Sequence, residues 1–265
     1  MNKINRKVRN AIVTGGSRGI GRDIALTLAS EGINVAILDL VDNKEDFKSL
    51  LKKGCGEISF YKCDLTNREE INSFLDKAYK KYGSINYLIN NAIYKNQHGI
   101  NEPLEEWNKS ISVGLTAPFL LSQELINREK SGGSIINICS VAGRLSTSES
   151  PSYHAAKGGL LALNRHLAVE GGKKSFRVNA ILPGLIIQDE HLDRFNSIEN
   201  LKYREMCQKY QPMGKVGTQS DISKLVVFLC SDDSKYISGA EINIDGAATI
   251  QDQFAMLLNQ IKNKT

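Results

Sequence analysis

In the stretch SYHAAKGGL, Ser152 to Leu160, a tyrosine and a lysine stand four residues apart. On a helix that spacing puts the side chains of Tyr153 and Lys157 on one face. A free phenol has a pKa of about 10, too high for a base at neutral pH, and a neighbouring ammonium stabilises the phenolate. The pair therefore suits a proton that moves. Taken alone, it suits an ordinary amphipathic turn equally well, and more residues are needed to choose.

A second candidate is TGGSRGIGRDIA, Thr14 to Ala25, which follows the apolar run NAIVT and opens a helical pattern. Glycines at 15, 19 and 21 permit a tight turn there. Backbone N–H groups approach a diphosphate only where no Cβ intervenes. The helix N-terminus then adds unpaired donors and partial positive charge. Gly15, Ser17, Arg18, Gly19, Ile20 and Gly21 thus form the candidate cradle for a dinucleotide. Asp39 ends the next apolar run, NVAILD. A carboxylate at that place hydrogen-bonds ribose hydroxyls and repels a 2′-phosphate, which favours NAD. Arg18 argues for NADP, but the carboxylate is better placed.

The elements that must position these residues are legible as alternation. Asn10–Thr14, Asn34–Asp39, Ile58–Lys62, Tyr87–Asn90, Ser134–Ser140, Arg177–Leu182 and Glu241–Asp245 are short, nearly unbroken apolar runs, as in strands covered on both faces. Helical patterns lie between them: Gly19–Ser30, Arg68–Tyr82, Leu104–Asn127, Ser152–Glu170 and Ser220–Cys230. This order predicts one α/β domain over residues 1–250, a doubly wound parallel sheet with helices on both faces. The polar, broken stretch 184–211 follows a strand and is expected to form a lid over the site.

Composition removes other classes. With 265 residues, 41% hydrophobic and 24% charged, the chain has enough apolar surface for a core. The net charge of +5 comes from scattered basic residues, without the clustered face a nucleic acid requires. No apolar run reaches the ~18 residues of a membrane span, and the N-terminus has no signal-peptide pattern. The five cysteines are scattered, without metal or disulfide spacing, so no metal site and a reducing cytoplasm are expected.

Seven motifs in order resemble the short-chain dehydrogenase/reductase family, over about Lys7 to Ala247. They are TGGSRGIG, CDLT (Cys63–Thr66), NNA (Asn90–Ala92), SVAG (Ser140–Gly143), YHAAK (Tyr153–Lys157), RVNAILPG (Arg177–Gly184) and ISGAEINIDG (Ile237–Gly246). The resemblance implies a Rossmann-type fold with a seven-stranded parallel sheet, and carbonyl–alcohol interconversion with a nicotinamide cofactor. It makes Tyr153 the acid/base residue, Lys157 its activator and a ribose ligand, and Ser140 the holder of the substrate oxygen. It also implies adenine contacts at Asp64 and Leu65 and a ribose wall at Asn90 and Ala92. Backbone contacts to the carboxamide fall at Gly184 and Ile186, and Asn179 becomes a brace of the sheet. Homodimers or homotetramers are common in the family.

The chain departs from the pattern in three places. In WNKSISVGLTAPF, Gly114 stands where many members have an asparagine linked to a helix kink and a proton-relay water, and Ser112 would point elsewhere on a regular helix. Ile93 replaces the glycine of NNAG, where a side chain would crowd the ribose unless turned away. The tail 251–265 extends beyond the usual end, and its apolar spacing predicts an extra amphipathic helix. The segments 93–103 and 143–152, together with the lid, are polar, which favours a small polar substrate such as a sugar, polyol or hydroxy acid. His98, Arg144, His191 and Arg194 are candidates to meet an anionic group. Two alternatives remain: an NADP-dependent ketoreductase, and a nucleotide-binding sensor or partner subunit without turnover.

Overall fold

The computed structural model describes residues 8–41, 47, 54–252, 254 and 256. The predicted tail helix therefore lies outside the described residues for most of its length.

The chain opens with β1 (Asn10–Thr14), α1 (Gly19–Ser30), β2 (Asn34–Asp39), β3 (Ile58–Lys62), α2 (Arg68–Tyr82) and β4 (Tyr87–Asn90). These elements coincide end for end with the sequence expectation. Next come α3 (Leu104–Ile111), α4 (Ala117–Arg128), β5 (Gly133–Ile138), α5 (Pro151–Gly172) and β6 (Phe176–Pro183). The stretch 184–211 contains β7 (Ile186–Ile187), α6 (Leu192–Asn196) and α7 (Leu201–Tyr210). β8 (Gly217–Thr218), α8 (Gln219–Cys230) and β9 (Glu241–Ile244) follow.

Seven strands pair in parallel in the order β3-β2-β1-β4-β5-β6-β9, while β7 and β8 make a separate two-stranded sheet. Successive strand residues point to opposite faces, which gives the sheet two cores. Ile12, Leu88 and Ile135 pack with Phe74, Leu75, Leu121 and Leu125 on one side. Their neighbours Val13, Ile89 and Ile136 pack with Ile24, Leu28, Ile222 and Val226 on the other. Strands buried on both faces have no polar alternation, which is why they read as unbroken apolar runs. The strand order reverses between β1 and β4, so a crevice opens beyond their carboxyl ends.

Two expectations are corrected. β5 ends at Ile138, where its pairing with β6 stops, and Ser140 instead caps a 3-10 turn by accepting from the Ala142 N–H at 3.1 Å. The helix expected over 104–127 is interrupted by a π turn at Ser112–Thr116. Ser112 therefore does not sit on a regular helix. Gly114 is buried within that turn, where a Cβ would lie 3.0 Å from Ala156 Cβ of α5, so its bare backbone permits the close approach.

Candidate active site

The glycine cradle forms at the carboxyl end of β1 because two torsions and two close approaches require it. Gly15 and Gly19 have φ of +64° and +55°, the left-handed region. A Cβ on Gly21 would fall 2.2 Å from the Gly15 carbonyl oxygen and 2.4 Å from Asn91 Nδ2, so the helix start lies directly on the turn. Asn91 ties the cradle to the end of β4, its side-chain amide donating to the carbonyls of Thr14 and Gly15, both at 2.9 Å. The Thr14 hydroxyl accepts from the N–H groups of Asn91 and Ala92. Asp39 lies against the loop, its carboxylate accepting from the Ser17 N–H at 3.0 Å. Arg18 is exposed and Ile20 half-buried at the start of α1. These residues fit a dinucleotide: the bare backbone of the turn, the helix N-terminus and a carboxylate at the next strand end converge on the crevice.

One strand farther along, β5 delivers Ser140 and α5 delivers Tyr153 and Lys157. Ser150 caps α5 by accepting from the Tyr153 N–H at 3.3 Å, and Pro151 opens the helix. This fixes Tyr153 in the first turn, and the four-residue spacing stacks Lys157 behind it. The Lys157 ammonium donates to the Ile138 carbonyl at 2.7 Å and lies 5.8 Å from the Tyr153 ring centroid. It is almost wholly buried, and burial brings its pKa from the usual 10.5 to about 8. Burial likewise raises the pKa of Tyr153, while a hydrogen bond from Ser140 and the charge of Lys95 act in the opposite direction. The neighbouring Cys139 thiol is buried and pushed up to about 12, which makes it a small apolar filler rather than a nucleophile.

The remaining predicted residues divide. Ala92 lines the cradle, where a Gly15 Cβ would meet its Cα at 2.8 Å. The Asn90 side chain turns inward and donates to Asn137 at 2.8 Å, and the residue is buried at the end of β4. Asp64 accepts from Thr66 and Leu65 is buried, both at the carboxyl end of β3. Gly184 packs on Asp245 and Ile186 pairs with Gly217 in the two-stranded sheet. Asn179 braces β6, donating to the Ile237 carbonyl and accepting from the Ala240 N–H. Arg144 is turned away, engaged with Glu241 and Asn243 at the β9 edge, while His98, His191 and Arg194 are exposed. A cavity of about 440 Å³ between Leu185, Gln211, Met213 and Asp245 contains none of Ser140, Tyr153 and Lys157.

Three contacts were missed by sequence reasoning. Ile93 does not crowd the cradle: its Cδ1 lies where a Gly114 Cβ would come within 2.7 Å, so the two departures from the family pattern fit each other. Gln188, just after β7, reaches Gly19, at whose Cβ position its Oε1 would stand 2.2 Å away. Lys95 sits over the Tyr153 ring, 4.9 Å from its centroid, and pairs with Glu149 at 2.6 Å. The only signal for the first was the coincidence of two exceptions; the others had none.

A family model described as enoyl-(acyl carrier protein) reductase matches residues 15–249. An uncharacterised oxidoreductase of Thermotoga maritima is 34% identical over 248 residues, 91% of this chain and 96% of its own length. A 3-oxoacyl-(acyl-carrier-protein) reductase of Buchnera aphidicola is 33% identical over 249 residues, 89% of this chain and 95% of that one. Among solved structures, levodione reductase superposes with a TM-score of 0.83 at 28% identity, covering 92% of this chain and 98% of its own. A doubly substituted short-chain dehydrogenase/reductase of Serratia marcescens gives a TM-score of 0.81 at 27% identity, covering 91% and 98%.

Proposed function

The chain belongs to the short-chain dehydrogenase/reductase family of oxidoreductases, and on that premise we propose that it interconverts an alcohol and a carbonyl on a small polar substrate with NAD. The observation that carries this reading is the convergence of Ser140, Tyr153 and Lys157 beside the glycine cradle. A bound nicotinamide supplies or accepts the hydride. Gly15, Ser17, Gly19, Ile20 and Gly21 hold its diphosphate, Asp39 the adenosine ribose, Asp64, Leu65, Asn90 and Ala92 the adenosine surroundings, and Gly184 and Ile186 the carboxamide side.

Tyr153 gives its phenolic proton to the carbonyl oxygen in one direction and takes it from the alcohol in the other. Ser140 holds that oxygen while its charge changes. Lys157, with its lowered proton affinity, shares the proton traffic behind the phenol and supports the nicotinamide ribose. NAD is favoured because the Asp39 carboxylate, aimed at the Ser17 N–H, meets a 2′-phosphate with like charge. The polar substrate is favoured by Lys95, Glu149, Thr147 and His154 around the approach to Tyr153. A homodimer or homotetramer is the expected assembly.

A fluorescence titration with NADH and NADPH in parallel tests the cofactor, followed by polar alcohols with the preferred form. Tight NADH binding and turnover lost in Tyr153→Phe are expected. Binding of neither nucleotide, or turnover that survives Tyr153→Phe, overturns the reading. The relatives named 3-oxoacyl-(acyl-carrier-protein) reductase favour a second reading, reduction of a 3-oxoacyl thioester with NADPH. Preference for NADPH together with turnover of such a thioester establishes that one.

A further inference from the structure

Tyr153 faces two ammonium groups, and the proton-transfer role just proposed for it makes both consequential. Lys95 Nζ lies 4.9 Å from the ring centroid, nearer than Lys157 Nζ at 5.8 Å. We propose that Lys95, held over the ring and opposed by Glu149, is a positioning residue that sets the proton affinity of the Tyr153 phenol.

The loop holds Lys95 there by anchors on both sides. The Tyr94 hydroxyl donates to Glu106 of α3 at 2.7 Å. The Asn96 amide donates to Glu102 at 2.6 Å, and Glu102 accepts from the Ser152 N–H at 2.9 Å and from the Ser152 hydroxyl. Lys95 is thus fastened to the same helical turn that carries Tyr153. Its partner Glu149 immediately precedes Ser150, the cap of that turn. The ion pair joins segments that flank the reactive phenol, with side chains 52% and 34% exposed. An ion pair so open to water adds little stability.

An ammonium attracts a neutral ring only through the quadrupole, but a phenolate through a full charge. Lys95 therefore favours the ionised form, and Glu149 opposes it. Lys157 lies buried behind the ring, and Lys95 adds a second cation from the loop side. The other groups facing Tyr153 are Ser140 and Cys139 beyond β5 and the edge-on ring of His154 on α5. They are common to every variant below.

The test is an absorbance titration of phenolate formation in the full-length protein, taken as a difference against the same protein carrying Tyr153→Phe, which isolates this tyrosine. Lys95→Met is expected to move the Tyr153 transition to higher pH, and Glu149→Gln to lower pH. Lys95→Arg keeps the charge and is expected to leave the transition near the wild-type position. In turnover, the basic limb of the kcat/KM profile follows the same order, and alcohol oxidation at pH 7 falls by about tenfold in Lys95→Met. A purely structural clasp predicts the same direction for both partners. Superimposable titrations, or shifts of one sign for Lys95→Met and Glu149→Gln, overturn the proposal. Because the titration needs no substrate, it stands even if the proposed reaction fails; should alkaline unfolding come first, the kinetic profile decides.

Discussion

Lys157 pays for its position in stability, and the pH dependence of that penalty can be read. Below pH 8 the lysine is protonated in both folded and unfolded chains, and the folded state bears the full desolvation cost. Between about 8 and 10.5 the unfolded chain holds more protons, so stability rises with pH. Above 10.5 both forms are neutral and the penalty is gone. Relative to Lys157→Met, the wild type should therefore gain up to about 3 kcal/mol as pH rises through this window. Urea unfolding at several pH values checks this, with both proteins also carrying Tyr153→Phe so that the coupled phenol drops out. Asp39 permits a second residue-scale prediction. Asp39→Ser should shift the NADH-to-NADPH affinity ratio by about tenfold or more toward NADPH, read by fluorescence titration.

Two elements depend on backbone without side chains. In the cradle, Gly21→Ala drives a Cβ onto the Gly15 carbonyl, and neither backbone can yield without opening the turn. The variant should fold, since α1 keeps its packing on α8, but nucleotide binding should weaken by at least about a hundredfold, measured by the same titration. In the π turn, the space over Gly114 belongs to Ile93 and Ala156. Gly114→Asn alone should destabilise by about 1–3 kcal/mol through overpacking. Combined with Ile93→Gly, the asparagine gains room, so the pair should be less unstable than the sum of the two single changes. A double-mutant cycle by chemical denaturation measures that coupling.

Across the whole molecule, a buried row of asparagines joins the sheet to its helical layer. Asn90 on β4 donates to Asn137 on β5, which donates to Asn164 on α5 at 3.0 Å. Asn164 in turn reaches the Ala240 carbonyl before β9 at 3.5 Å. All three asparagines are fully or nearly fully buried, so each bond lost leaves an amide group without water. Asn137→Leu strands partners on both sides and should cost about 2–4 kcal/mol in urea unfolding, more than a single surface hydrogen bond. The same row holds β4 and β5 in register beneath the crevice, so the cradle and Ser140 are expected to lose alignment together.

Properties carried by neighbours in the chain were legible in the sequence. Unbroken apolar runs marked strands buried on two faces. Glycine spacing marked the turn into α1, and the interval from Tyr153 to Lys157 marked a shared helical face. Each follows from local torsions or a short repeat, which residue types alone determine. The π turn at Ser112–Thr116 and the early end of β5 were not legible, because each depends on what packs or pairs alongside. The same holds for Ile93 over Gly114, Gln188 on Gly19 and Lys95 on Tyr153. Those contacts join residues far apart in the chain, and their geometry exists only once the loops beyond the sheet are brought together. The sequence by itself determined the scaffold and the candidate reactive residues; the tertiary structure decided which charges surround them.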